Sequence, residues 1–197
     1  MGRIPRLFVV SGPAGVGKGT LVSRVRAKRP SLGLPVSATT RSPRPGEVDG
    51  ESYHFLTDEE FSSLVERGEF LEWAQVHDHR YGTLRSEVDA CLSRGESVVL
   101  EIDVQGGNNV KRAYPDVVRI FIEPPSWEVL VGRLRGRGTE SEESLSIRLR
   151  TAQGELALAH TYDVRIVNDD LDEAVAELER TLERYECTKE RPKDGNN

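Results

Sequence analysis

The sequence predicts an α/β fold in which a parallel sheet, flanked by helices, carries a small inserted lobe. The apolar run 7–10 enters a glycine loop that is followed by a helical pattern. From residue 86 to residue 185, apolar strand patterns alternate with helical patterns, which favours parallel strands covered on both faces. Between these parts, from 35 to 84, prolines and short alternating runs replace most helical patterns. We therefore expect the inserted lobe in that stretch.

The elements follow this plan in order along the chain. The first strand is closed by Ser11 and Gly12, and its helix continues through Leu21 and Val25. The lobe contains one amphipathic helix, 58–67, which a capping box of Thr57 and Glu60 opens. Beyond the lobe we predict helices at 86–94, 126–135, 140–158 and 171–185, and strands at 98–103, 117–122 and 164–167. Residues 187–197 are predicted to be a flexible tail.

Composition and charge restrict the class of protein. A chain of 197 residues suits one domain with a small lobe. The formal net charge of -6 argues against nonspecific nucleic-acid binding, yet residues 1–57 carry +6 and residues 58–197 carry -12. An anionic ligand is therefore expected at the N-terminal part.

The expected compartment is the cytoplasm. No apolar run approaches the ~18 residues of a membrane helix, and the N-terminus lacks a secretory pattern. Cys91 and Cys187 lie far apart, without the spacing of zinc sites or disulfide frameworks. We expect neither a membrane nor a nucleic acid as partner.

The strongest motif is the loop between the first strand and the first helix. It reads Gly12-Pro13-Ala14-Gly15-Val16-Gly17-Lys18-Gly19-Thr20. Glycines let successive N–H groups surround phosphate oxygens, the helix N-terminus adds partial positive charge, and Lys18 reaches the outer phosphates. Gly19 stands where such loops usually have Ser or Thr for magnesium, and Thr20 can supply that hydroxyl instead. The alternative is a glycine-rich turn that binds nothing.

The lobe contains a second group of candidate residues. Arg41 and Arg44 are bracketed by prolines, and on this stiff backbone they can bind a second anion, although a loop of solvated arginines fits as well. Tyr53, Glu72, Tyr81 and Thr83 lie in the same stretch. A carboxylate at Glu72 can accept two parallel hydrogen bonds from N1–H and the 2-amino group of guanine, whereas adenine offers no such pair.

Two further features lie in the C-terminal half. Arg133, Arg135, Arg137 and Arg148 flank the glycines at 136 and 138. This pattern suits a mobile, phosphate-neutralising lid, although each arginine taken singly also suits a solvated helix surface. Asp103 follows an apolar strand at the predicted carboxyl edge of the sheet. It fits either a site residue or the N-cap of the next helix.

Taken together, these motifs resemble the guanylate kinase family over almost the whole chain. The resemblance rests on the loop 12–20, the segments 37–50, 68–74 and 81–83, Glu101-Ile102-Asp103-Val104-Gln105-Gly106, and the segments 136–140 and 167–170. Glu101 departs from the family, which more often has Asp there, and so do Asp78-His79-Arg80 before Tyr81. The Gly-Lys-Gly-Thr ending of the loop is familiar in this family.

The resemblance implies a P-loop core, an inserted GMP-binding lobe and a mobile helical lid. The core is expected at 5–36 and 85–186, with the lid at about 134–150, and the lobe at 37–84. The implied activity is transfer of the γ-phosphoryl group of ATP to GMP, with Mg²⁺ bound mostly through ATP phosphates and water, and with Thr20 as a weak candidate ligand. Preference between GMP and dGMP, and between monomer and homo-oligomer, stays open.

The resemblance also implies roles for individual residues. ATP is bound by the loop, Arg133 and Asn168. The transferring phosphoryl group is neutralised by Lys18, Arg41, Arg137 and Arg148. GMP is bound by Ser37, Arg41, Arg44, Tyr53, Glu72, Tyr81, Thr83 and Asp103.

Two alternatives share the same fold. One is a kinase of a sugar phosphate such as ribose 1,5-bisphosphate, against which Glu72 and Thr83 argue. The other is a guanylate-kinase-like binding module that no longer catalyses, against which the intact loop argues.

Overall fold

The computed structural model describes residues 3–76, 78–135 and 142–188, which form two sheets and seven α-helices. In chain order the elements are β1 (Leu7–Ser11), α1 (Lys18–Lys28), β2 (Ser37–Thr39), β3 (His54–Phe55), α2 (Asp58–Glu66), β4 (Phe70–Val76), β5 (His79–Leu84), α3 (Arg85–Ser93), β6 (Val98–Glu101), α4 (Val104–Ala113), β7 (Val118–Glu123), α5 (Trp127–Arg135), α6 (Glu142–Ala157), a 3-10 turn (Ala159–Thr161), β8 (Val164–Val167) and α7 (Leu171–Cys187). No described helix is long and apolar enough to cross a membrane.

The first sheet is parallel, with the strand order β6-β1-β7-β8. Leu7 pairs with Val98, Phe8 with Val118, and Ile120 with Val164. All five residues of β1 are buried because the strand lies inside the sheet with apolar layers on both faces. The predicted parallel sheet flanked by helices is confirmed. Its carboxyl edge carries the loop after β1 and the polar residues after β6.

The second sheet has the order β3-β2-β5-β4 and is built wholly from residues 37–84. Ser37 pairs with Thr83, and Glu72 pairs with Thr83 from the other side. Phe61 of α2 stacks on Phe70 at 4.3 Å between ring centroids. The predicted capping box is present, since Glu60 N donates to Thr57 Oγ1 and Thr57 N donates to the Glu60 carboxylate.

The predicted boundaries that fall on described residues are matched within two residues, and one of the two-residue differences lies at the end of β6. That strand ends at Glu101, not at 103 as predicted, because Asp103 caps α4 by accepting a hydrogen bond of 2.7 Å from Gly106 N. Helix α4 was expected only as the element that follows Asp103, without bounds. Its Gly-Gly-Asn-Asn stretch, 106–109, consists of weak helix formers, so propensity does not reveal it.

The last helix is fixed to the core by an ion pair. Arg29 Nη2 lies 2.7 Å from Glu186 Oε2, and the Glu186 side chain is 2% exposed. Arg6 Nε also donates to the carbonyl of Tyr185. The helix therefore extends to Cys187, where the tail was predicted to begin. Residues 189–197 of that predicted tail lie outside the described residues.

Candidate active site

The glycine loop between β1 and α1 is pressed against the ends of β7 and β8. Gly12, Gly15 and Gly17 all have positive φ angles. A Cβ on Gly12 would lie 2.4 Å from the carbonyl oxygen of Ile122, and one on Gly17 would lie 2.5 Å from Nδ2 of Asn168. Glycine is thus required at both positions for close approach as well as for conformation.

Lys18 begins α1 and folds back over the loop. Its Nζ donates to the carbonyl oxygens of Gly12 at 2.6 Å and Pro13 at 3.2 Å. The N–H groups of the first turn, from Lys18 to Thr20, have no acceptor within the helix, because an α-helix supplies none to its first residues. A cation and several N–H donors therefore meet at one place, which suits a polyphosphate.

The packing at Gly19 explains its departure from the usual loop. A Cβ there would lie 3.3 Å from Oε2 of Glu101, at the end of β6. A carboxylate thus faces the space where other loops have a hydroxyl. Thr20, the predicted metal ligand, is exposed beside it. In the described part of the chain, no cluster of three or more His, Cys, Asp or Glu side chains could hold a metal ion.

Asn168 and Arg133, predicted to bind ATP, lie against the loop backbone. Asn168 is 5% exposed, and its Nδ2 donates to the carbonyl of Val16 at 2.7 Å. Arg133 donates to the same carbonyl at 3.5 Å and to the carbonyl of Asn168 at 3.1 Å. Both side chains therefore fix the backbone of the loop at Val16.

The second group of predicted residues comes together on the second sheet. The Arg41 guanidinium lies 5.5 Å from the ring centroid of Tyr53, and the Tyr53 and Tyr81 rings are 6.1 Å apart. Arg41 Nη2 donates to both Glu47 oxygens, at 2.8 and 2.9 Å, while the Arg44 N–H donates to Glu47 Oε2 at 2.7 Å. These bonds hold the pKa of Glu47 below its ordinary value, Arg41 contributing most.

Glu47 is a residue that the sequence analysis did not assign. Its carboxylate binds Arg41 where the predicted anion would bind. The spacing of six residues within a proline-rich loop gave no sign of this contact.

Glu72 lies at the junction of two cavities, each partly lined by the Ile102 segment. Its Oε1 accepts a hydrogen bond of 2.8 Å from the Thr83 hydroxyl. Burial raises the pKa of Glu72, the Thr83 bond opposes that shift, and the Asp103 carboxylate adds to it. Ser37 and Thr83 line a cavity of about 190 Å³, whereas Asp103 lines a neighbouring cavity of about 530 Å³.

Asp103 is the N-cap of α4, and its role as a site residue stays a prediction. The side chain caps α4 through Gly106 N, and it lines the same cavity as Glu72. Ser11, which is fully buried, donates its hydroxyl to the Asp103 carbonyl at 3.3 Å. The last residue of β1 therefore connects the glycine loop to the segment that carries Asp103.

Arg148 and Glu155 lie on α6, the helix that follows the predicted lid glycines. Arg148 is half-buried, and Arg137 lies outside the described residues. Burial raises the pKa of Glu155, while Lys18 opposes the shift and Asp103 adds to it. Glu155 was not predicted as a site residue. Its position two turns after Arg148 on the same helix face was the available signal.

Comparison with known proteins agrees with this arrangement. The family model for guanylate kinase matches residues 4–185. The chain belongs to the guanylate kinase family. A guanylate kinase of Synechococcus sp. (strain CC9311) is 49% identical over 181 residues, covering 92% of this chain and 95% of that protein. A guanylate kinase of Thermobifida fusca is 51% identical over 173 residues, covering 88% of each.

The fold is shared as well. The crystal structure of guanylate kinase from Anaplasma phagocytophilum has a TM-score of 0.70 at 30% identity, covering 95% of this chain and 89% of that one. The match to the guanylate kinase family spans every predicted site residue from Gly12 to Asn168.

Proposed function

We propose that this chain transfers the γ-phosphoryl group of ATP to GMP, giving ADP and GDP. One observation carries the choice of GMP. The Glu72 carboxylate is half-buried beside the Thr83 hydroxyl, with Asp103 on the adjoining cavity. Carboxylate oxygens accept the N1–H and 2-amino hydrogens of guanine. The Thr83 hydroxyl donates to Glu72 and orients it, and the Ser37 hydroxyl, which lines the same cavity, can donate to O6.

The reaction joins a GMP phosphate oxygen to the γ-phosphorus while the bond to the β,γ-bridging oxygen breaks and ADP leaves. The protein contributes alignment and charge, because phosphoryl transfer needs little covalent help. Lys18, Arg41, Arg137 and Arg148 neutralise the charge on the moving group. The loop 12–20 binds the ATP phosphates through its N–H groups, and Arg133 and Asn168 keep the loop in place.

The GMP phosphate binds beside the second sheet, where the Arg41 guanidinium lies near the rings of Tyr53 and Tyr81. Ser37, Arg41, Arg44, Tyr53 and Tyr81 hold it. Arg41 is paired with Glu47 in this structure, so the phosphate exchanges places with that carboxylate or shares the guanidinium with it. Glu47 thereby keeps the arginine oriented until the anion arrives.

Magnesium fits the site through the nucleotide. Thr20 offers one hydroxyl and Glu101 one carboxylate near the first turn of α1, and Mg²⁺ prefers oxygen ligands while keeping several waters. When bound, it would neutralise phosphate charge between the ATP oxygens. Thr20 and Glu101 would hold it directly or through water.

We further propose the division of the chain into a core, 5–36 and 85–186, and a GMP lobe, 37–84, with a lid near 134–150. The second sheet uses only lobe residues, which supports this division. The cytoplasm is the proposed compartment on the basis of cysteine usage.

A substrate panel tests the function. We expect ADP release with ATP plus GMP, and none above background with AMP, CMP, UMP or ribose 1,5-bisphosphate. Turnover of the sugar phosphate would favour the sugar-phosphate kinase, and no turnover with any acceptor would favour the binding module. Glu72→Gln should abolish most GMP turnover, whereas Glu69→Gln, a matched change at a half-exposed carboxylate of the same lobe, should not.

A further inference from the structure

The cavity of about 530 Å³ continues from Glu72 into a cleft between the edge strand β4 and helix α4. Its walls are Glu72, Trp73, Ala74 and Gln75 on one side, and Ile102, Asp103, Gln105, Gly106 and Asn109 on the other. The size lies within the ~300–1,000 Å³ of ordinary ligand pockets. Beyond Glu72 and Asp103, none of these side chains has a role in binding GMP, and Trp73 is 44% exposed.

The chemistry of the two cavities fixes which edge of guanine faces this cleft. Ser37, whose hydroxyl can donate to O6, lines only the smaller cavity, and so does Thr83, whose hydroxyl donates to Glu72 Oε1. Asp103, which as a carboxylate can only accept, lines the larger of these two cavities and not the smaller. It also lines a third cavity, of about 630 Å³, together with Glu155. With N1–H and one 2-amino hydrogen on Glu72, O6 points to the hydroxyls, and the second 2-amino hydrogen points to Asp103 and the cleft.

We propose that the cleft admits a substituent on the exocyclic N2 of guanine, so that N2-monosubstituted guanosine monophosphates are substrates of this protein. The inference rests on the proposed function. An N2-monosubstituted base keeps N1–H and one N2–H, and therefore keeps both bonds to Glu72. Only the hydrogen that faces Asp103 is replaced, and the substituent enters the cleft beside Trp73 and the amides of Gln105 and Asn109.

Substitution on the opposite edge of the base is excluded by the same geometry. Alkylation of O6 removes the N1 proton, so Glu72 loses one of its two donors. It also places the alkyl group among Ser37, Thr83 and Glu101 in a cavity of only about 190 Å³. O6-ethyl-GMP is therefore the matched control for N2-ethyl-GMP, because the two carry the same group on different edges.

The experiment measures kcat/KM for ATP-dependent phosphorylation of GMP, N2-ethyl-GMP and O6-ethyl-GMP. We expect N2-ethyl-GMP to fall within about tenfold of GMP, the loss of one charged hydrogen bond, and O6-ethyl-GMP to fall about a hundredfold or more. N2-ethyl-GMP should also compete with GMP. If GMP is phosphorylated while N2-ethyl-GMP is neither substrate nor competitor, the cleft inference is overturned and the proposed function stands. If GMP itself is not phosphorylated, the proposed function fails first.

Filling the cleft tests its location. Gln105 is exposed in the first turn of α4 and lines the cleft, whereas Lys111, on the same helix, does not. Gln105→Trp should lower the ratio of kcat/KM for N2-ethyl-GMP over GMP about tenfold or more, and Lys111→Trp should not change it. An equal ratio in the two variants would show that the substituent lies elsewhere and would overturn the assignment.

Discussion

We expect the proposed phosphate site to depend strongly on Lys18. Its ammonium group lies over the Gly12 and Pro13 carbonyls, so it is oriented before any phosphate binds. Lys18→Ala should lower turnover by ~3 kcal/mol of transition-state stabilisation or more, about a hundredfold or greater, with little change in folding. Steady-state kinetics and circular dichroism check this. Lys28→Ala, which removes an exposed ion pair to Glu179 from the same helix, is the control and should retain turnover.

Glu72 should show opposite effects on function and on stability. Glu72→Gln offers guanine one acceptor and an unwanted donor, and should weaken GMP binding by ~1–3 kcal/mol. Calorimetry with GMP, and separately with ATP, measures this loss. Unchanged GMP affinity would make Glu72 a structural residue.

The stability effect of the same variant depends on pH. Burial raises the pKa of Glu72 above its ordinary value of 4.5, so the folded state holds this proton more tightly than the unfolded state. Below both pKa values the carboxyl group is protonated in both states and does not lower the free energy of unfolding. As the pH rises through the folded pKa the buried group ionises, and the free energy of unfolding falls. The free energy of unfolding of Glu72→Gln, relative to the parent, should therefore increase from about pH 4 to about pH 7 in denaturant titrations. A flat difference would contradict the burial of this charge.

At the scale of elements, the contact between the glycine loop and the end of β8 should be intolerant of any side chain. Gly17→Ala places a methyl group at φ +98 and 2.5 Å from Asn168 Nδ2. It should cost more than the ~1–2 kcal/mol of a left-handed residue and should weaken ATP binding, because Val16 loses its amide donor. Gly95→Ala, at φ +81 with nothing within 4 Å, should cost only that conformational penalty. Thermal unfolding and ATP titration compare the two.

The elements also show where sequence reasoning succeeds. The run 7–10 is apolar on both faces, so a buried parallel strand was predictable there. The run 164–167 contains Arg165 and buries only Ile166, so its place in the sheet was indicated by its alternation with helical patterns. The cap of α2 was equally plain. The second sheet was predicted only as a lobe, because strands as short as β3, His54–Phe55, carry no periodicity.

The residues of the candidate site also divide into those that the sequence indicates and those that it does not. The sequence indicated where the loop, Glu72 and Asp103 lie in the fold, whereas their roles in binding stay predictions. The bonds from Arg41 to Glu47 and from Ser11 to the Asp103 carbonyl were not predictable, and neither was the effect of the Lys18 charge on the pKa of Glu155. Each depends on how separate segments approach in three dimensions.

For the whole molecule, the proposed reaction requires that two groups of cations on different parts of the chain meet at one phosphoryl group. Arg41 and Arg44 lie in the loop between β2 and β3, and Arg148 lies on α6. Together they would repel one another without phosphates, so we expect ligand charge to drive closure. Small-angle scattering should give a smaller radius of gyration with a bisubstrate analogue than without it. Identical radii would contradict closure.

Arg137 tests the same closure through kinetics. Arg137→Lys keeps the charge but loses the planar fork, so turnover should fall while GMP binding stays nearly intact. Arg150→Lys, on an exposed position of α6, is the control. Normal turnover of Arg137→Lys would leave that residue without a role in transfer.

The pairing of Ser37 with Thr83 has a consequence for the order in which the chain folds. It brings residues 37 and 83, which lie at the two ends of the lobe segment in the chain, side by side. Once the second sheet has formed, the residues between them no longer lengthen the loop that must close before Leu7 can pair with Val98. Loop closure costs entropy that grows with the length of free chain. Early formation of the second sheet should therefore speed assembly of the parallel sheet.

Thr57→Ala removes the cap of α2, at a cost of ~1 kcal/mol, and makes this order measurable. We expect slower refolding with little change in the unfolding rate by stopped-flow fluorescence, as for residues already structured in the transition state. A change confined to unfolding would mean that the parallel sheet forms first, around a segment that is still unfolded.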